Sequence, residues 1–427
     1  MVLTQSSAGR LASPLRSRPY RLLLIGQTVS GFGDAITPIA LAFAVLQLGG
    51  SATQLGLVVA AYAGAKVATV LAGGLIGDRL PRGLVMRGSA AASALSQAVI
   101  AISLIGGWSG VALLGMIGLV NGCVSALGGP SGQAMTRETV PAANLAAAIS
   151  LRRLASNAAM IAGYGAAGVL VAAWGPGWSI AVDAVTFAVA AICFALIRLP
   201  ARTPAARPVP ADHPLPADRP SLLADLRGGA VEVLRHPWLW ALIAQALVYH
   251  LFYGGAQGVL GPIVVKAEYS EAAWGWALAV LMLGFVAGGL VTLRFRPSRG
   301  LFTGTLFLGL TACFPAALAV KAGLAVVLAG AFLHGLGLEI FSVNWDLSIQ
   351  QNVAADKLAR VYSIDQVGSF LARPIGLVLT GPVGEAVGYS RWLGIVAAVM
   401  LGSVLLALLV PGVRRLRRIP PAQLIPR

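Results

Sequence analysis

The sequence predicts an all-α membrane protein of about twelve transmembrane helices arranged in two six-helix bundles. Three observations lead there: a composition that no water-facing surface explains, apolar runs of spanning length, and basic residues that cluster at alternate loops. Hydrophobic residues make up 57% of the 427-residue chain and charged residues only 11%, with a mean hydropathy of +0.82. A soluble domain keeps its charged fraction near a quarter because its surface must face water. Most of this surface therefore faces something else.

The apolar runs fall at roughly 21–47, 54–77, 84–106, 110–130, 145–173 and 177–198, and then at 238–264, 272–293, 300–320, 323–348, 362–387 and 392–411. Each suffices to cross a hydrocarbon core of about 30 Å. Residues 130–144 and 349–361 read as short polar connections. The chain divides into an N-terminal tail (1–19), a first bundle (20–198), a connecting segment (199–237), a second bundle (238–411) and a basic tail (412–427). The first run continues past the length of a cleavable signal core. In the connecting segment, seven prolines between Pro200 and Pro220 favour an extended, solvated linker. From Ser221, the apolar residues Leu222, Leu226 and Val233 interleave with Asp225, Arg227 and Glu232, which suits a short interfacial helix.

The net charge of +16 and the pI near 10.8 do not point to nucleic acid, because the basic residues form no continuous face. They sit in short clusters between apolar runs, the distribution expected of cytoplasmic loops. Of the 31 lysines and arginines, only Lys66, Lys266, Lys321 and Arg391 fall outside the loops of one side, where Arg373 is counted with Lys357 and Arg360. Both termini belong to that side, which requires an even number of spans. The opposite turns, 106–110 and 174–178, are uncharged and bear Trp108, Trp174 and Trp178, suited to an interfacial aromatic belt. A weak internal repeat supports the six-plus-six division. Leu24-Ile25-Gly26-Gln27 opens the first span and Leu242-Ile243-Ala244-Gln245 the seventh; Gly73-Gly74-Leu75 ends the second and Gly288-Gly289-Leu290 the eighth. Paired repeats around a central cavity are a transporter plan.

The most specific local motif is Gly74-Leu75-Ile76-Gly77-Asp78-Arg79-Leu80-Pro81-Arg82-Gly83. It resembles the loop between the second and third helices of the major facilitator superfamily; Gly74, Asp78, Arg79 and Arg82 match, while Pro81 and Gly83 depart. The resemblance extends over nearly the whole chain. Gly31-Phe32-Gly33-Asp34, Arg137-Glu138-Thr139-Val140-Pro141, Gly175-Pro176-Gly177-Trp178 and Arg360-Val361-Tyr362-Ser363-Ile364-Asp365-Gln366 with Pro374-Ile375-Gly376 are similar to the branch holding macrolide and enterobactin exporters. It implies two bundles rocking about a substrate cavity, with Asp78, Arg79, Arg82 and Asp365 stabilising one state. It also implies export of a small organic molecule, drug, antibiotic or siderophore-like. The fourth helix has Asn121 and lacks the arginine that the family's antiporters often carry, and the fifth lacks their Gly-Pro pair.

No cofactor is expected. Gly163-Tyr164-Gly165-Ala166-Ala167-Gly168 spells a dinucleotide fingerprint but follows no strand, so Gly163, Gly165 and Gly168 read as close helix packing. There is no Walker motif to supply ATP energy. Four scattered histidines offer no metal set, which argues against a membrane-embedded enzyme. Cys123, Cys193 and Cys313 lie within apolar runs and read as buried thiols.

Ionisable residues within spans are costly and so are the site candidates. Asp34 and Lys66 each lie about 16 residues from the first outer turn, at similar depth on antiparallel neighbours; a paired, cavity-facing Asp34–Lys66 is the preferred reading. Glu339 is a candidate cation or proton site on the tenth helix, which also carries Asp346. His250 and His334 titrate near neutral pH when free and otherwise read as packing residues; Gln27 and Asn121 are polar cavity candidates. Asp183 reads as a solvated or capping residue near the outer end of the sixth helix. The expected partners are a small-molecule substrate, protons or another ion, and the lipid bilayer, with no nucleic acid. A monomer in the cell membrane with proton antiport is the expected arrangement. An uptake carrier of the same fold, a lipid flippase and a non-transporting sensor remain the alternatives.

Overall fold

The structure, a computed structural model, describes residues 13–77, 81–198, 230–354, 357–370 and 372–418. The elements among them are helical, and the long ones run back and forth across one slab. They are α1 (Arg18–Gln47), α2 (Ala52–Gly77), α3 (Arg82–Ile105), α4 (Val111–Thr139), α5 and α6 (the two arms of Leu145–Ala195), α7 (Pro237–Glu268), α8 (Glu271–Arg294), α9 (Gly300–Ala319), α10 (Leu324–Asn352), α11 (Leu358–Phe370 with Ala372–Val387) and α12 (Tyr389–Leu409). Nine segments of the described residues are long and apolar enough to cross a membrane. One of these is the 51-residue Leu145–Ala195, which is two spans; with α2 and α11 the total is twelve.

Local chemistry explains where these helices begin and end. Ser17 caps α1 by accepting from the Tyr20 amide at 3.4 Å, and Pro19 stands in the first turn, where a missing amide costs nothing. Ser270 caps α8 in the same way, accepting from Ala273 at 3.2 Å. Gly175 breaks the α5–α6 pair with φ of +83°, a conformation open to glycine at little cost, and Pro176 follows. Helix α4 continues to Thr139, past the expected end at 130. The next breaker is Pro141, and Val140 before it is extended.

Helix α1 is buried almost all round: from Ile36 to Val45 only Pro38 is exposed. It is the central helix of the first bundle, wrapped by α5 and α6. On the outer surface, Leu95, Ile102, Met116, Val185, Leu290 and Leu406 are all more than half exposed, as a lipid-facing surface requires. Trp108, Trp174 and Trp178 are exposed together at the turns on one side.

The packing of the two bundles, α1–α6 and α7–α12, differs along the slab. We call the side of the α2–α3, α4–α5 and α10–α11 connections the termini side, and the other the far side. Toward the far side one continuous apolar core takes residues from both bundles, among them Ile36, Phe43, Leu55, Ala167, Val259, Trp274 and Leu377. Toward the termini side the core divides. Leu23, Met86, Met135 and Phe194 form a cluster of the first bundle alone, while Trp238, Leu301, Phe341 and Val361 belong to a cluster of the second. The bundles are joined at one end and parted at the other.

Candidate functional site

Close backbone approach builds the joined end. Gly56 of α2 lies against the Leu377 carbonyl of α11, Gly381 of α11 against the Thr53 backbone, and Gly168 of α5 against Ala272 and Gly275 of α8. A side chain at any of these would collide with main chain, which cannot rotate away. Outside the packed contacts, the Glu385 carboxylate accepts from the Thr53 amide at 3.1 Å and its hydroxyl at 2.8 Å.

Below this closure a cavity of about 310 Å³ lies between the bundles. Pro38 and Val59 of the first bundle and Tyr164 of α5 form one wall; Tyr249, Tyr253, Trp274, Phe285 and Arg373 form the other. Helix α7 widens to a π-helical turn at Ala256–Leu260, which itself carries the cavity residues Gln257 and Gly258. Such turns recur at functional sites because they redirect side chains out of helical register.

Asp34 and Lys66 are both exposed, although each lies deep within its helix. They lie within electrostatic reach of one another. The expected pairing is corrected: among the described residues no ion pair joins them, and the Lys66 ammonium instead lies 5.9 Å from the Tyr62 ring centroid.

Asp183 is also corrected. It is fully buried among α1, α3 and α6 rather than solvated, and its carboxylate accepts hydrogen bonds from Thr37, from Gln97 and, at 3.2 Å, from Thr186. Gly33 of α1 leaves the space these groups fill. A third correction concerns Arg373, counted with the loop cations. It lies inside α11, lines the cavity and packs against Gly254 of α7. It is exposed, and Tyr62 and Tyr164 lie within electrostatic reach of both it and Asp34. A signal for it was present: an arginine 14 residues before the end of an apolar run is about 21 Å from that end.

Of the remaining candidates, His334 and His250 line the cavity and the others scatter. His334 is buried, with Nδ1 donating to the Thr311 carbonyl and Nε2 paired with the Tyr249 hydroxyl, both at 2.8 Å, and its ring stacks on Tyr253. His250 lines the cavity, its Nδ1 on the Ala246 carbonyl at 2.8 Å. Asn121 is buried in α4 with its side-chain oxygen unpartnered, as is that of Gln27, which lies by Gly132. Glu339 is half-buried against Gly288 of α8, away from Asp34 and Arg373, and Asp346 accepts from the Tyr362 hydroxyl at 3.5 Å. Gly163 lies against Phe32 and Ala35 of α1, Gly168 against α8, and Gly165 faces Ala279 loosely. Of the gating residues, Gly74 lies in α2. Asp78 and Arg79 lie outside the described residues, as do 200–229 of the connecting segment. Arg82 pairs with Glu138 of its own bundle at 2.7 Å, and Asp365 accepts from the Trp345 indole of its own bundle at 3.3 Å.

A lipid-facing exterior, two six-helix bundles and an aromatic-lined cavity between them, with Arg373 and two histidines in its wall, define a multi-pass membrane transporter. The family model of the Major Facilitator Superfamily matches residues 23–292, and the chain belongs to that superfamily. It is 26% identical over 422 residues to the multidrug efflux pump Tap of Mycobacterium tuberculosis, covering 95% of this chain and 96% of that one. It is 21% identical over 406 residues to macrolide efflux protein A of Streptococcus pyogenes, covering 92% and 95%. Among solved structures it resembles the nucleoside transporter NupG (TM-score 0.70, 10% identity, 93% and 99% covered). It also resembles a bacterial homologue of the iron transporter ferroportin in an inward-facing state (TM-score 0.67, 17% identity, 95% and 98% covered). These structural likenesses concern the fold.

Proposed function

We propose that this transporter exports a small organic molecule, drug, antibiotic or siderophore-like, by alternating access, and that the structure is its inward-facing state. The observation that carries the reading is the division of the core: one cluster spans both bundles on the far side, and separate clusters hold each bundle on the termini side. A cavity closed at one end and open at the other is half of an alternating cycle. The excess of arginine on the termini side supports a cytoplasmic position for that side and both termini, in the cell membrane. Similarity to efflux pumps supports export as the direction.

In the opposite state the termini side closes. Asp78, Arg79 and Arg82 at the α2–α3 loop, with Asp365 of the second bundle, are the charges that hold it. Arg82 bonds to Glu138 and Asp365 to Trp345 in this state, which supports their exchange for other partners in the opposite one. Asp34 is the carboxylate for proton antiport: it is deep in α1 yet reachable by water. The bundles are taken as 20–198 and 238–411, the connecting segment supplies reach, and one chain is a complete transporter.

The test is transport. Cells expressing the protein, loaded with a panel of antibiotics and dyes, should lose one or more faster than controls, and collapse of the proton gradient should abolish the difference. Faster accumulation instead of loss would make it an uptake carrier. Since Asp34 and Lys66 are not a buried pair, Asp34→Asn and Lys66→Met should each express and fold normally. Asp34→Asn should lose the proton dependence, and unchanged proton-driven export by that variant would remove Asp34 from the coupling step. Asp78→Asn should lower export at normal yield.

A further inference from the structure

We propose that Arg373 receives the acidic group of the transported molecule, so that the cavity selects amphipathic organic anions and zwitterions over cations of similar size. The proposal rests on the export reading and names the substrate class for its cavity.

Position comes first. Arg373 lies one turn before Gly376 and Leu377, where α11 meets the Leu251 carbonyl of α7 and Gly56 of α2. It faces the cavity at mid-span, while Pro38, Val59 and Trp274 line the same cavity nearer the closed far side. Its side chain is exposed there in spite of that depth.

Its surroundings leave the charge uncompensated. The helices packed about it present Tyr249, His250 and Tyr253 from α7, Tyr164 from α5 and Tyr62 from α2, all without a carboxylate. Among the described residues no ion pair engages Arg373. An arginine within a span is costly to place and persists there where a partner or water-filled space receives it. A guanidinium presents a planar fork of donors that matches a carboxylate or phosphate. Beside it, the buried Tyr253 hydroxyl at the cavity wall has no hydrogen-bond partner and offers a further donor to an anionic oxygen.

The charges about the cavity are few. Arg373 lines it at mid-span, Asp34 lies one turn nearer the opening than the cavity residue Pro38, and Lys66 lies two turns nearer than Val59. Two positive charges and one negative sum to a net positive space. An organic anion meets Arg373 against aromatic walls; a zwitterion also sets its amine on Asp34. A molecule carrying only positive charge meets the arginine with no group of its own to pair with the guanidinium.

The experiment uses three xanthene dyes of one scaffold: fluorescein, an anion; rhodamine B, a zwitterion with a free carboxylate; and rhodamine 6G, a cation with the carboxylate esterified. Equilibrium binding to the purified full-length protein is read by fluorescence anisotropy. Fluorescein and rhodamine B should bind at least tenfold more tightly than rhodamine 6G. Arg373→Gln should erase that preference and Arg373→Lys should retain part of it, with unchanged elution and melting temperature. Rhodamine 6G binding to the wild type as tightly as the other two would overturn the proposal without recourse to any variant. So would a preference that survives Arg373→Gln, or no saturable fluorescein binding. Active efflux of rhodamine 6G from cells combined with no carboxylate preference overturns this inference and leaves export standing. A carboxylate preference lost in Arg373→Gln, in cells that take up the dyes rather than expel them, supports the site and overturns export.

Discussion

The two ends of the cavity are made from different materials. The far end is closed by main chain against main chain at Gly56, Gly168 and Gly381, with a single exposed carboxylate, Glu385, across the join. The termini end carries charged groups: Arg82 on Glu138, Asp365 on Trp345, Lys357 on Glu232 at 2.8 Å, and Asp346 of the second bundle within electrostatic reach of Arg153 of the first. Glycine contacts are short-range and shape-dependent; they are lost within a fraction of an ångström. Charges act over a longer range and can be exchanged for water or for one another. A transporter that closes one end sterically and the other electrostatically can alter the balance of its states at either end separately.

That comparison presupposes rigid bundles, and the largest expected effect comes from removing the rigidity. Asp183→Leu strands the Thr37 and Gln97 donors in the core of the first bundle, at about 1–3 kcal/mol each. The variant should melt many degrees lower in detergent, with Asp183→Asn intermediate. A wild-type melting temperature for Asp183→Leu would mean that the buried network holds nothing together.

Next in size is the far-end closure itself. Gly56→Leu places a side chain on the Leu377 carbonyl, an overpacking of about 1–3 kcal/mol, and should shift the balance of states roughly tenfold or more away from far-end closure. Cross-linking of Thr53→Cys with Glu385→Cys, in a background with Cys123, Cys193 and Cys313 replaced, would report it as a fall in yield. Unchanged cross-linking would refute the steric account of this end. Glu385→Gln is the smaller perturbation of the same closure: an exposed contact is worth under about 1 kcal/mol, so maleimide labelling of a Val59→Cys cavity cysteine, in the same cysteine-replaced background, should change a few-fold at most.

The smallest effect expected is at the termini end and depends on pH. The Lys357 hydrogen bond holds the Glu232 carboxyl below the ordinary carboxylate range, with His236 and Arg235 assisting. A depressed acid stabilises the contact at pH above its unfolded-state value and loses that contribution as the pH falls through its folded-state value. The helical turn 230–235 should thus exchange its amide hydrogens slowly at neutral pH and faster in acid. Glu232→Gln should remove the acid dependence; an identical pH profile in the variant would show that other groups govern it.

Much of the fold was legible because a bilayer imposes length and polarity on each span. Run lengths and basic loops define most spans within a few residues, and Gly175-Pro176-Gly177 marks the turn between α5 and α6. The site was less so, because hydropathy along a chain does not say which face of a helix meets a cavity. Asp183, eight residues or about 12 Å beyond Gly175, is buried by three neighbours that lie far apart in sequence. Arg373 was hidden by its own neighbourhood: a run bounded by Lys357 and Arg360 draws it into the loop. Depth arithmetic places Asp34 and Lys66 on one cavity, but whether they touch depends on the conformational state, which no residue spacing encodes.

The single-residue connection at Gly175 sets how motion travels. Helix α5 bears on α8 through Gly168, two turns before the connection, and α6 is fastened to α1 and α3 through Asp183, about two turns after it. With one glycine between them there is no slack in which a displacement of α5 could be absorbed. A tilt begun at the Gly168–Gly275 fulcrum must pull α6, and with it the α1 segment that carries Asp34, like the short arm of a lever. Lengthening that connection by a few flexible residues would uncouple the arm from its load while leaving every packed contact in place.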